Sequence, residues 1–138
     1  MACAELRISN RMEDLAAVVS MVEDFGAAHV IAAAVINDIN LCLDELLCNI
    51  ISYGYPDGGA GAITVRLRHQ PGQVSVEVAD DGRPFDPLQA GPPDLGGTVE
   101  TRRIGGVGIH FVKELMDDVV YSRVGSENRL TLKKKLPT

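Results

Sequence analysis

The order of elements legible in the chain, helices first, then a hairpin, another helix and a second hairpin, predicts an α+β fold. The expected architecture is a two-layer α/β sandwich in which helices cover one face of a mixed sheet. Three observations carry this. Apolar residues recur at helical spacing from about Met12 to Tyr53. Later segments alternate β-branched and polar residues in pairs separated by short turns. The 138 residues, 46% of them hydrophobic and 23% charged, supply one core and show no internal repeat, so residues 1–138 read as a single domain.

Taken in order, the segment around Glu5–Ile8 alternates and predicts a short strand. From about Met12 to Ala28, Leu15, Val18, Val19 and Val22 make an apolar stripe opposite Asp14, Glu23 and Asp24. A second helix is expected over Val30–Tyr53, ended by the turn-forming cluster Tyr53–Gly61. Strands follow at Ala62–His69 and Gln73–Ala79 about a turn at Pro71–Gly72. A non-periodic stretch from about Gly82 to Gly105 carries four prolines, at 84, 87, 92 and 93; a loop of that length inside a domain is usually a functional lid or disordered. A helix over about Val107–Met116 and strands near Val119–Val124 and Arg129–Leu136, joined by a turn at Gly125–Asn128, complete the chain.

Composition narrows the function. A net charge of −6 disfavours non-specific binding to nucleic acid, whose phosphates demand a basic surface, but leaves room for one nucleotide held by local donors. No apolar run is long enough to span a membrane, and the start MACAELRISNRMED lacks the regions of a signal peptide, so a cytoplasmic location is expected. Cys3, Cys42 and Cys48 form no CxxC pair and read as reduced packing thiols rather than zinc ligands.

On a helical wheel of the second helix, Ile36, Ile39, Leu43, Leu46, Leu47 and Ile50 share one face, and Asp38, Glu45, Asn49 and Ser52 the other. Alone, that polar stripe reads as the solvated side of an amphipathic helix. A functional reading is also open. Glu45 and Asn49, four residues apart, stack one above the other. An amide oxygen at Asn49 suits a magnesium ion shared with phosphates, and a carboxylate at Glu45 suits a base that takes a hydroxyl proton.

Two glycine-containing boxes follow. Asp80-Asp81-Gly82 at the end of a strand allows a sharp turn and a close approach to a flat ligand, and an ionised Asp80 accepts the amino hydrogens of an adenine; the triplet reads equally as a plain turn. Gly105-Gly106-Val107-Gly108 directly before a helix leaves backbone N–H groups aimed at an anion. It is neither a Walker loop, for want of GK[ST], nor a dinucleotide fingerprint, for want of a preceding strand.

Together, Glu45-Leu-Leu-Cys-Asn49, Asp80-Asp-Gly82 and Gly105-Gly106-Val-Gly108 resemble the N-box and glycine boxes of the GHKL (Bergerat-fold) ATPases. The sequences DDGRPFDP and GGVGIHFVKELMD are similar in particular to bacterial anti-sigma regulatory factors with serine/threonine-protein kinase activity. The resemblance implies ATP and Mg2+ as cofactors, Glu45 as general base and Asn49 as magnesium ligand. Asp80 and Gly82 would then form the adenine site, Gly105, Gly106 and Gly108 a phosphate cradle, and about residues 83–105 an ATP lid. Arg102 and Arg103 are weaker candidates for phosphate contact. The implied partners are a sigma factor and a small antagonist protein carrying the target serine, and homodimers are among the implied assemblies. Pro84 departs from the pattern, standing where many members have a second glycine. A non-catalytic module whose partner affinity ATP tunes, and a histidine-kinase catalytic domain, are the alternative readings.

Overall fold

The structure, a computed structural model, describes residues 2–89 and 107–137. Strand β1 (Ala2–Ser9) leads through a short 3-10 turn at Met12–Asp14 into helices α1 (Leu15–Ala28) and α2 (Ala33–Tyr53). The hairpin β2 (Ala62–Gln70) and β3 (Gln73–Asp80) follows, then a 3-10 turn at Pro87–Gln89. Helix α3 (Val107–Leu115) precedes the second hairpin, β4 (Asp118–Val124) and β5 (Glu127–Lys135).

The strands form one sheet in the order β1-β2-β3-β5-β4. Every ladder in it is antiparallel, which corrects the mixed sheet expected from sequence. The reason is topological. An even number of helices lies between β1 and β2, so the chain comes back to the sheet running opposite to β1. Strands β3 and β4 do run the same way across α3, but β5 inserts between them and is antiparallel to both.

Strand alternation sorts the sheet into two faces. Ile63, Val65 and Leu67, then Val74, Val76 and Val78, then Leu130 and Leu132 point inward and are fully buried. Helix α2 lies between α1 and α3 and covers them with Ile39, Leu43, Leu46, Leu47 and Ile50. Fully burying each such side chain contributes about 1.5–3 kcal/mol. Since Ala32 gives α2 no side-chain cap, packing rather than local capping holds this helix. The open face is polar, with Arg66 bridging Glu5 at 2.8 Å and Glu77 at 2.6 Å. Lys134, at the end of β5, joins three elements by pairing with Asp38 of α2 at 3.3 Å and donating to the carbonyl of Leu115 at the end of α3.

Of the three cysteines expected as packing thiols, Cys42 is buried and Cys48 partly buried, whereas Cys3 is exposed. Burial, foremost, pushes the Cys42 thiol up to about 11. Two helix details differ from the sequence expectation. Val18 and Val22 are buried, but Val19 faces solvent. The second helix starts at Ala33 rather than Val30, because α1 ends in a Schellman turn. Ile31 N–H bonds Gly26 O at 2.9 Å, which places Val30 in the left-handed region at φ 52.

That position suits glycine and strains a β-branched residue, and Val30 is 92% exposed, so its side chain contributes little packing. Relief of about 1–2 kcal/mol of left-handed strain should exceed the extra chain entropy of glycine, about 0.4–1 kcal/mol. Val30→Gly is therefore expected to raise the unfolding midpoint in urea, and a lowered midpoint would show that Val30 is held by contacts of its own.

Candidate functional site

Of the site residues expected from sequence, Glu45 and Asn49 lie in the C-terminal half of α2, and Asp80 lies at the end of β3 with Gly82 just beyond it. Asn49 is not on a solvated face; only 3% of it is exposed. Its Nδ2 donates to the Glu45 carbonyl at 3.0 Å and to Glu45 Oε1 at 3.1 Å. These bonds occupy the amide's donor end and so fix its orientation. They also hold the half-buried Glu45 carboxylate against the helix. The helical stacking expected of this pair is present as a side-chain hydrogen bond.

Asp80 is buried for a reason that β3 itself supplies. Val74, Val76 and Val78 point inward, and the next residue on that face is the acid. Its Oδ1 accepts Gly82 N–H at 2.9 Å and Asn128 Nδ2 at 3.0 Å. Burial pushes the carboxyl above its ordinary range, and these two bonds work against that rise. Asp81, on the opposite face, accepts Tyr55 O–H at 2.8 Å and Ala62 N–H at 3.0 Å. Burial works to raise its carboxyl too, but the bonds from Ala62 and Tyr55 prevail and it sits below the ordinary value. The neighbouring acids thus divide the work: Asp80 faces inward, and Asp81 ties the turn after α2 to the sheet.

Gly82 is required by a close approach. A Cβ there would lie 2.6 Å from the Gly54 carbonyl oxygen. That carbonyl, at the C-cap of α2, accepts Arg83 N–H at 2.9 Å, and Arg83 Nε reaches the Tyr53 carbonyl at 2.7 Å. The corner after β3 therefore satisfies carbonyls that the helix end leaves open. The Tyr53 and Phe85 rings pack beside it at 5.7 Å.

Sequence reasoning missed part of this corner. Asn128, placed there in a turn, is an inward residue of β5 opposite Asp80. Arg123 donates to the Gly82 carbonyl at 2.9 Å. Counting back by twos from Leu132 and Leu130 reaches Asn128, a polar residue on the buried face, and that was the available signal. Gly108 is the second residue of α3, so the helix begins where the glycine box expects it. Gly105, Gly106, Arg102, Arg103 and the expected lid beyond Gln89 lie outside the described residues. A groove of about 280 Å³ flanks the corner, lined by Tyr55, Asp81, Gly82 and Arg83 among others, and one of about 470 Å³ crosses the open face of the sheet. Neither of these two grooves is lined by Asn49 or Asp80.

Comparison with known proteins decides the family. Residues 8–134 match the histidine kinase-like ATPase domain. The chain belongs to that family. Over 94 residues it is 36% identical to the serine/threonine-protein kinase BtrW of Bordetella bronchiseptica, covering 68% of this chain and 66% of that protein. Over 88 residues it is 33% identical to the serine-protein kinase RsbW of Listeria monocytogenes, covering 61% of this chain and 56% of that one. The matches thus span less than two thirds of the length of these curated relatives. The crystal structure of the RsbU and RsbW domains of a Mycobacterium tuberculosis protein superposes with a TM-score of 0.66 over 99% of this chain and 32% of that one; at 15% identity it shows a shared fold. No helix among the described residues is long and apolar enough to cross a membrane.

The raised carboxyl of Asp80 has a consequence for stability. A carboxyl whose folded pKa exceeds its unfolded one favours folding below the unfolded value, and that contribution is lost as pH rises through the folded value. At neutral pH the buried charge therefore opposes folding. Asp80→Asn keeps an oxygen for Gly82 and Asn128 and removes the charge. By thermal melts the variant should match or exceed the parent at pH 7, with the gap closing as acid protonates the parent's Asp80. A variant that melts well below the parent at pH 7 would contradict this.

Proposed function

We propose that this ATPase-family domain is an ATP-dependent protein serine/threonine kinase that phosphorylates a small antagonist protein and sequesters a sigma factor. The observation that carries the catalytic part is the Asn49–Glu45 hydrogen bond on one rigid helix, the same helix whose C-cap carbonyl, Gly54, accepts the N–H of Arg83 just after the Asp80–Gly82 corner. The names of its relatives support a hydroxyl as acceptor. The antagonist and the sigma factor come from the family resemblance.

In this reading Asp80 accepts the amino hydrogens of adenine, and Gly82 lets the base approach the backbone. Asn49 Oδ1 would hold a magnesium ion that neutralises phosphate charge. No trio of His, Cys, Asp or Glu converges on a metal site among the described residues, which fits an ion that keeps few protein ligands and arrives with the nucleotide. Glu45 takes the proton of the attacking serine or threonine hydroxyl; its oxygen bonds the γ-phosphorus as the bond to the β-phosphate oxygen breaks and ADP leaves. The glycines at 105, 106 and 108 cradle phosphates at the start of α3.

Transfer of labelled phosphate from ATP to a co-encoded small protein tests the proposal. Glu45→Ala should keep ATP affinity within a few-fold and slow transfer by roughly 10²–10⁴, the usual contribution of a general base. Transfer at the parent rate would make Glu45 an ordinary polar residue. Nucleotide binding without transfer by the parent would favour the ATP-tuned binding module. Calorimetry should show ATP bound in preference to GTP, with Asp80→Asn weakening ATP by about 1.5–3 kcal/mol, as expected for a hydrogen bond to a charged group. Equal affinity for GTP would remove the adenine-reading role.

A further inference from the structure

The described residues include three buried polar side chains, Asn49, Asp80 and Asn128, each 3% exposed. The first two carry the motifs. Asn128 belongs to no motif, yet it makes more hydrogen bonds than either. Its Nδ2 donates to Asp80 Oδ1 at 3.0 Å and to the Arg83 carbonyl at 2.7 Å. Its Oδ1 accepts Phe85 N–H at 3.1 Å and the Tyr121 hydroxyl.

This accounts for the whole capacity of the amide, two donated and two accepted bonds. The network also fixes which way the amide points. Turned by 180°, it would set Oδ1 against Asp80 and the Arg83 carbonyl, both acceptors, and Nδ2 against the Phe85 N–H, a donor. At least three of the four bonds would be lost. A side chain held that firmly presents its N–H to one chosen oxygen of Asp80.

We propose that Asn128 is a positioning residue for base selection: it pins Oδ1 of Asp80, leaving Oδ2 as the acceptor that meets the base's amino group, and so sets the preference for adenine over 6-oxopurines. The proposal rests on the reading of Asp80 as the adenine acceptor. Its chemistry is simple. Without the Asn128 donor, Oδ1 keeps only the Gly82 N–H, and the carboxyl is free to turn. It also loses a bond that favours its ionised form, and a protonated carboxyl would donate to an oxo group instead of accepting from an amine. Discrimination should then fall even where the fold survives.

The test is calorimetric titration with ATP and with inosine triphosphate, both with magnesium, on the parent, Asn128→Ser and Tyr121→Phe. The parent should prefer ATP. Asn128→Ser should reduce the ATP-to-inosine-triphosphate affinity ratio roughly tenfold, the lower end for a hydrogen bond to a charged group. Tyr121→Phe removes one constraint on the amide without touching Asp80, and should reduce the ratio by less. A purely structural role would weaken both ligands by one factor and leave the ratio unchanged, which overturns the proposal. If Asn128→Ser fails to unfold cooperatively, Tyr121→Phe decides: a parental ratio in that variant overturns the role of Asn128. A parent with no preference between the two nucleotides removes the adenine reading of Asp80 itself, a different failure from a preference that both variants retain.

Discussion

The carbonyl of Gly54 is where the helical layer and the sheet meet at the site. It follows the last turn of α2, which the Gly54 N–H closes on Ile50 O, and it accepts the backbone N–H of Arg83 just beyond the end of β3. That single bond requires residue 82 to lack a Cβ, since the same oxygen lies 2.6 Å from where one would be. It sets Asp80 beside the last turns of α2, where Asn49 and Glu45 are hydrogen-bonded to each other. The hydrophobic core beneath, which includes Leu46, Leu47 and Ile50 of the helix and Val65, Val76 and Val78 of the sheet, holds the two layers together. If that corner shifted, the proposed base and metal ligand would stay on their helix and Asp80, the proposed adenine acceptor, would leave them.

The price of the site is a buried charge. Asp80 sits where strand alternation calls for another apolar residue, and burial opposes its ionisation. Two N–H donors on Oδ1 offset part of that cost. Asn128, in turn, is held by Phe85, Arg83 and Tyr121, so the polar cluster reaches from β3 through β5 to β4. A buried polar group is tolerable when every member of its network has a partner, and each described atom of the Asn128 amide has one.

Periodicity and turn chemistry reached most of the fold. The strands, the three helices and the single-face packing of α2 follow from repeats of two and of about 3.6 residues. Strand pairing did not, because register and neighbour order depend on contacts between distant segments; hence a mixed sheet was expected where β5 separates β3 from β4. The strain at Val30 was hidden for a related reason: nothing local in a valine announces a left-handed residue. In the site, Glu45, Asn49, Asp80 and Gly82 were legible through their motifs. Asn128 was not. Its importance lies in standing opposite Asp80 across a ladder between residues 48 positions apart.

The central claim is that a nucleotide sits between the Glu45–Asn49 end of α2 and the Asp80–Gly82 corner. Backbone amide chemical shifts of the isotopically labelled protein, followed while ADP and magnesium are added, test it directly. The largest changes should fall at Asn49, Asp80, Gly82 and Asn128 and at the first turn of α3, with little change along the open face of the sheet. Changes concentrated instead in the groove lined by Arg66, Arg68, Arg129 and Lys133 would place the ligand on the other side of the sheet and contradict the account.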